Sequence, residues 1–348
     1  MTTRTGTEPI ATWPISGVPG VRFRGLRKPD DYPGTAAANQ ATRESAGRAS
    51  AITTASLALA FDHFVNFDPG RDLLIVERAE RIIGYARVSR RDRVDGRRSF
   101  VSICILRPEE RGQGIGQVML DWVDGRIATI AAGLPDHRPS DLDAYTWGDD
   151  VQGAALLTRN GWTERGRGYE MLISNLDHIP DVPIPDGLTI RDVDASDRRR
   201  VWDASIEAFR DHRMEPEMTD LDWQRFVHDE RQDPRLWLIG FDGDEVAGGA
   251  LGLIDDEENR QQGRLRGVVD EVFTRRPWRR RGLARALVAR CLLRLRDRGM
   301  TSALLEVDGL NPHQAMTLYE SLGFEIASVE IDWTRPFGVS ARQEEVER

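Results

Sequence analysis

The sequence repeats itself at half-chain spacing. Arg111-Gly-Gln-Gly-Ile-Gly116 and Arg279-Arg-Arg-Gly-Leu-Ala284 both fit R-x-x-G-x-G/A, and their central glycines, Gly114 and Gly282, lie 168 residues apart in a chain of 348. Each hexapeptide follows an apolar run, opens a helical pattern and precedes a Gly-aromatic pair, Gly161-Trp162 or Gly323-Phe324. The same landmarks in the same order point to two copies of one plan rather than one large core. Between the copies, Pro180, Pro183 and Pro185 remove backbone donors and favour an extended linker. The expected division is a tail over 1–20, an N-terminal unit over 21–177, a linker over 178–187, a C-terminal unit over 188–335 and a tail over 336–348.

The second unit reads as a strand over 188–192, helices across 195–213 and 220–229, and strands over 236–242, 245–254 and 267–274. Leu283, Leu287, Val288, Cys291, Leu292 and Leu295 recur at helical spacing and end at Gly299, which predicts a helix over 283–298 with one face buried. A strand over 303–307 follows. Asn311-Pro312 then reads as N-cap and first helical position of a helix reaching 322, before a closing strand over 326–333. Hairpins mixed with crossover helices indicate an α/β fold with a mixed sheet.

Composition narrows the function classes. A net charge of -9 argues against a nucleic-acid surface, and no apolar run is long enough to span a bilayer. A soluble cytoplasmic protein is expected. The six histidines show no metal-ligand spacing, so no metal is assigned. Cys104 and Cys291 lie in apolar-patterned segments and read as buried reduced thiols without a disulfide.

The hexapeptides carry the chemistry. A strand that ends in a small-residue loop and opens a helix presents free N–H groups at the positive end of the helix dipole, which suits phosphate. The loop at 279–284 is followed by Asn311-Pro-His-Gln-Ala-Met-Thr-Leu-Tyr-Glu-Ser-Leu-Gly-Phe324. This pair of segments resembles the acetyl-CoA-binding core of the GNAT (GCN5-related N-acetyltransferase) superfamily. The tandem order resembles GNAT enzymes of the mycothiol synthase type.

That resemblance implies two tandem GNAT folds, each a mixed, mostly antiparallel twisted sheet flanked by helices. It implies an acyl-CoA N-acyltransferase that uses acetyl-CoA as co-substrate. Backbone groups of Val272, Phe273 and Thr274 are expected along the pantetheine. Arg279, Arg280, Arg281, Gly282, Leu283 and Ala284 are expected at the pyrophosphate. Asn311 is expected near the pantetheine or as a plain N-cap. Tyr319, four residues before Gly323, sits where the family places its general acid, or it only packs. Glu271 on the pre-loop strand is the first candidate for the base, with alternation placing it opposite Asp270 and Val272; Glu306 or a water relay are the alternatives.

In the first copy Leu157 takes the place of Tyr319 and Ile103 that of Glu271, and neither can move a proton. The N-terminal copy is therefore expected to be non-catalytic. The expected acceptor is a small-molecule primary amine, approached along an acidic rim at Asp211, Glu215, Glu217, Asp220 and Asp222, although such a run is more commonly a solvated charged loop. The protein is expected as a monomer or homodimer. Other classes that fit are a non-catalytic acyl-CoA sensor or scaffold, and a protein or peptide N-acetyltransferase.

Overall fold

A computed structural model describes residue 13 and residues 17–194, 196–210, 216–229, 231–309 and 315–338. The N-terminal half begins with β1 (Val21–Gly25), α1 (Tyr32–Ser45), α2 (Thr54–His63), β2 (Leu73–Arg78) and β3 (Arg81–Asp92). It continues through β4 (Arg98–Leu106), α3 (Ile115–Ala132), β5 (Ser140–Trp147), α4 (Val151–Arg159) and β6 (Thr163–Ile173). The C-terminal half repeats the plan with β7 (Thr189–Arg191), α5 (Arg198–Phe209), α6 (Asp220–His228), β8 (Trp237–Asp242) and β9 (Glu245–Ile254). After α7 (Asp256–Gln262) come β10 (Arg266–Thr274), α8 (Leu283–Asp297), β11 (Ser302–Asp308), α9 (Ala315–Glu320) and β12 (Glu325–Phe337). The helix read over 283–298 forms because its apolar stripe buries Leu283, Leu287, Val288, Cys291, Leu292 and Leu295. Helix α7 was not expected. Its sequence is polar all round, and it is held by its ends: Asp255 accepts from the Glu258 N–H, and Gly263 closes it at a φ of 61°.

The strands form one sheet in the order β1-β2-β3-β4-β5-β12-β6-β11-β10-β9-β8-β7. Most pairs are antiparallel; β4–β5 and β10–β11 are parallel. The two halves do not close each on its own last strand: the last strands are exchanged. β12 lies against β5, β6 lies against β11, and the two pair with each other in the middle. Each exchanged strand completes the other half's core. Met171 and Ile173 of β6 pack with the α8 residues and with Leu322 and Phe324, while Trp333 of β12 packs with Phe100, Ile115 and Trp162. The Trp333 indole N–H also donates to Thr146 Oγ1 at 2.9 Å. Outside the sheet, Trp13 stacks on Trp122 with ring centroids 6.1 Å apart. The proline-bearing segment between the halves packs on the C-terminal core through Ile179, Val182 and Ile184.

A fully buried carboxylate ties the exchange to the α1–α2 connection. Glu170 on β6 accepts from the backbone N–H groups of Ala49 and Ser50 at 2.6 and 3.0 Å and from the Ser328 hydroxyl of β12 at 3.0 Å. Burial opposes its ionisation, but Arg48 and these donors more than compensate, so its pKa falls below the ordinary glutamate value. The associated stability is present above the unfolded-state pKa and lost as pH falls through the folded one.

Since β12 belongs to the N-terminal core, Trp333→Ala should cost about 3–5 kcal/mol, as for other large aromatic truncations. Hydrogen exchange should accelerate first in α3, β4 and β5 rather than in α8. Loss of protection confined to α8 would contradict the exchange.

Candidate active site

Both hexapeptides fold into the same turn. The chain passes through two left-handed residues, Gly112 and Gly114 at φ 76° and 84° in the first copy, Arg280 and Gly282 at φ 60° and 88° in the second. The leading arginine of each motif folds back on its own strand: Arg111 Nε donates to the Leu106 carbonyl at 3.4 Å and Arg279 Nε to the Thr274 carbonyl at 2.9 Å. Helices α3 and α8 start at Gly114 and Gly282 without any side-chain cap. Their first-turn amides, in α8 those of Leu283 and Ala284, are therefore available to an anion. Of the arginines expected at the pyrophosphate, Arg279 also donates to the Ala208 carbonyl at 2.8 Å and Arg281 to the Asp186 carbonyl at 2.8 Å. These two brace the loop, and Arg280 is exposed.

Next to each loop a parallel strand pair opens. β4 and β5 are in register from Arg98↔Ser140 to Val101↔Asp143, and β10 and β11 only from Arg266↔Ser302 to Val268↔Leu304. Beyond those points the facing backbone edges, including that of Val272, Phe273 and Thr274, have no ladder partner among the described residues. In the N-terminal half the opening is a cavity of about 490 Å³, whose walls include Cys104, Leu106, Gly112, Gly114, Tyr145 and Trp147. Cys104 is thus not the buried core thiol expected from its apolar surroundings, since strand divergence turns it into a cleft wall. Desolvation by the surrounding cleft walls pushes its pKa up to about 12, so the thiol stays protonated. Leu157 lines the same cavity. Cys291 is fully buried in α8.

In the C-terminal half a β-bulge rearranges the pre-loop strand. Between Val269 and Glu271 the register with β9 slips by one residue, with Asp270 as the extra one. Val269 and Val272 both pack on the α8 side, and Phe273 packs on the α5 side. Simple alternation is therefore corrected: Glu271 stays opposite Val272, but Asp270 shares its face and accepts from Gln232 Nε2 at 2.9 Å. β4 carries no such bulge against β3. Tyr319 projects from α9 into the core on the α8 side, 7% exposed, edge-on to Phe324 at 6.0 Å. Desolvation pushes its pKa up to about 12. Asn311 lies outside the described residues.

The face of β11 away from Tyr319 carries Glu306, 67% exposed and paired with Arg48 at 2.7 Å. Glu306, Asp308, Glu330, Asp332, Tyr169 and Arg48 line a second pocket of about 230 Å³, built from the exchanged strands. Burial, reinforced by Glu306, pushes the Glu330 carboxyl up to about 7. The sequence pointed elsewhere for acidic residues. Asp211 and Glu215 lie outside the described residues, while Asp222 is buried, caps α6 and pairs with Arg91 at 3.5 Å. Glu217 pairs with Arg138 at 3.5 Å. These two tie the halves together. The pocket from β6, β11 and β12 could not be read from sequence, because its residues meet only through the exchange.

Residues 40–128 and 198–324 match the acetyltransferase (GNAT) family. The chain belongs to the GNAT family. It is a tandem GNAT acyltransferase, of a family whose members use acetyl-CoA. Mycothiol acetyltransferase from Geodermatophilus obscurus is 26% identical over 76% of this chain and 82% of that protein. The mycothiol acetyltransferase from Kytococcus sedentarius is 28% identical over 77% and 83%. Among solved structures, a GCN5-related N-acetyltransferase from Sphaerobacter thermophilus superposes with a TM-score of 0.74 at 24% identity, over 91% of this chain and 96% of that one. A tandem GNAT protein from the clavulanic acid biosynthesis pathway superposes with a TM-score of 0.62 at 16% identity, over 92% and 99%. The last two are likenesses of fold.

Gly282 has no atom within 4 Å of where a Cβ would stand, so its replacement is opposed by backbone strain alone. Gly282→Val should destabilise the loop by about 1–2 kcal/mol, and weaken CoA binding at the C-terminal site about tenfold, at 1.4 kcal/mol per decade. Thermal unfolding and calorimetric titration with CoA measure the two effects; unchanged affinity would remove this loop from the donor site.

Proposed function

We propose that the protein transfers the acetyl group of acetyl-CoA to the primary amine of a small molecule by direct attack in a ternary complex, in the C-terminal half. The observation that carries this reading is the opening between β10 and β11, with Tyr319 in the core on one face of the sheet and the carboxylates Glu271 and Glu306 on the other. A thioester threaded through that gap is reached by an amine from the acidic face. The nitrogen lone pair adds to the thioester carbonyl, the C–S bond breaks, and the nitrogen proton passes to Glu271, to Glu306 or through water. Tyr319, whose high pKa keeps the phenol protonated, hydrogen-bonds the departing sulfur and supplies its proton. Two tenants on opposite faces of one sheet favour proximity as the main source of rate.

The acidic pocket supports a cationic acceptor, and the relatives favour one of the mycothiol type. A second reading concerns the N-terminal half. Its 490 Å³ cavity beside a phosphate-type turn supports binding of a CoA ester there, with Leu157 and Ile103 in the proton-transfer positions and hence no turnover. A peptide acetyltransferase is the alternative that the same assay tests.

The assay is CoA release with an amine and peptide panel. Tyr319→Phe should lower kcat by about 10²–10⁴-fold and leave CoA affinity nearly unchanged; full activity would remove Tyr319 from the mechanism. CoA release with peptides but with none of the small amines would favour the peptide acetyltransferase.

Because Glu330 titrates near 7, its charge, and with it the attraction for a cationic acceptor, grows as pH rises through that value. The acceptor KM should fall between about pH 6 and 8, and Glu330→Gln should flatten that dependence. A KM profile unchanged in the variant would place the amine elsewhere.

A further inference from the structure

Four arginines are buried as whole residues among the described ones: Arg24, Arg87, Arg93 and Arg98. Three of them hold two carboxylates each. Arg24 pairs with Asp31 and Glu77, Arg93 with Asp95 and Asp141, and Arg98 with Asp92 and Asp136. Arg87 on β3 is 9% exposed, its side chain makes no hydrogen bond or ion pair to any described residue, and its Nη1 is buried without a partner. Its guanidinium stacks on the Phe64 ring at 4.0 Å. The titratable groups that act on it are the phenols of Tyr85 and Tyr145 and the like-charged Arg91, with desolvation the largest effect. A desolvated cation with two phenols and no counter-ion is costly to keep unless something anionic joins it.

Its position indicates what could join it. Arg87 is paired across the ladder with Ile103, next to Cys104. Tyr85 and Ile103 pack in the core beneath α1 and α2, and Tyr145 packs against it. Tyr145 also lines the 490 Å³ cavity, together with Thr42 of α1 and with the phosphate-type turn at Gly112 and Gly114. The cavity therefore has walls on both faces of the sheet at the opening between β4 and β5, and Arg87 stands one strand away on β3, on the face of Tyr85 and Ile103 and near enough to Tyr145 to interact with its phenol.

We propose that the N-terminal half is a carboxylate-recognition site, in which Arg87 forms the anchoring ion pair with a small carboxylate that enters through this cavity and the hydroxyls of Tyr85 and Tyr145 donate to it. The carboxylate is either the free end of a dicarboxylic acyl group carried on CoA or that of a free acid. Only the first source rests on the reading of this cleft as a CoA-ester site. Neither depends on the transfer reaction assigned to the C-terminal half.

Cys104 gives a local readout, since it lines the cavity while Cys291 is buried in α8. The full chain would be alkylated slowly with iodoacetamide, and modification of Cys104 followed by mass spectrometry with succinyl-CoA, acetyl-CoA or succinate present. Succinyl-CoA or succinate should slow the modification at concentrations at least about tenfold below those at which acetyl-CoA does. Arg87→Met should abolish that advantage, and Arg87→Lys should keep part of it; the wild-type comparison stands even if Arg87→Met does not fold. Protection by succinyl-CoA alone identifies a carboxylated acyl chain. Protection by succinate but by no CoA species supports the site while rejecting the CoA reading of this cleft. Equal protection by acetyl-CoA and both carboxylates, no protection at all, or an advantage that survives Arg87→Met overturns the proposal.

Discussion

The exchange of the two closing strands is the constraint on which the rest of the structure depends. β5 and β11 each end a parallel pair, and each needs an antiparallel neighbour along its other edge if its N–H and C=O groups are to be paired. Each finds that neighbour in the opposite half, so one continuous sheet replaces two separate ones. The cores follow the strands. Trp333 fills the N-terminal core, and Met171 and Ile173 fill the C-terminal one.

Charge reinforces the same seam. Apart from Lys28, the basic residues are arginines, and several reach from one half to the other: Arg91 to Asp222, Arg138 to Glu217, Arg48 to Glu306. The planar guanidinium suits this duty, because it can stack and bond at once. Arg48 does both, lying over the Trp147 ring at 4.5 Å with its side chain only 4% exposed. Glu170 satisfies backbone donors of the α1–α2 connection in a partly buried position. The acidic pocket above the central strands is a product of this seam and belongs to neither half alone.

The two clefts share a turn and differ in their walls. Backbone conformation at Gly114 and Gly282 is nearly the same, as is the arginine that locks each turn to its strand. The proton-moving candidates occur in one copy only, and so does the bulge that puts Asp270 and Glu271 on one face. The large cavity lies in the other copy, with Cys104 and Tyr145 in its walls, and the strand next to β4 carries an unpaired buried guanidinium. The two related clefts therefore present different side chains.

Much of this was legible in the chain itself. The repeat, the strand-turn-helix order at each hexapeptide and the apolar stripe of α8 are local, since they depend on spacing within a few turns and on the conformations open to glycine. The pairing of β6 with β11 and of β12 with β5 is not local. A closing strand has the same alternation whichever neighbour it joins, so only packing of the whole molecule decides. The same holds for the bulge at Asp270, for the place of Cys104 on a cleft wall and for the isolation of Arg87. Residue type gave the chemistry available at each of these positions. Which groups meet, and which are left without a partner, was decided by long-range strand order, because burial and counter-charge are properties of the assembled sheet and not of the sequence around any one residue.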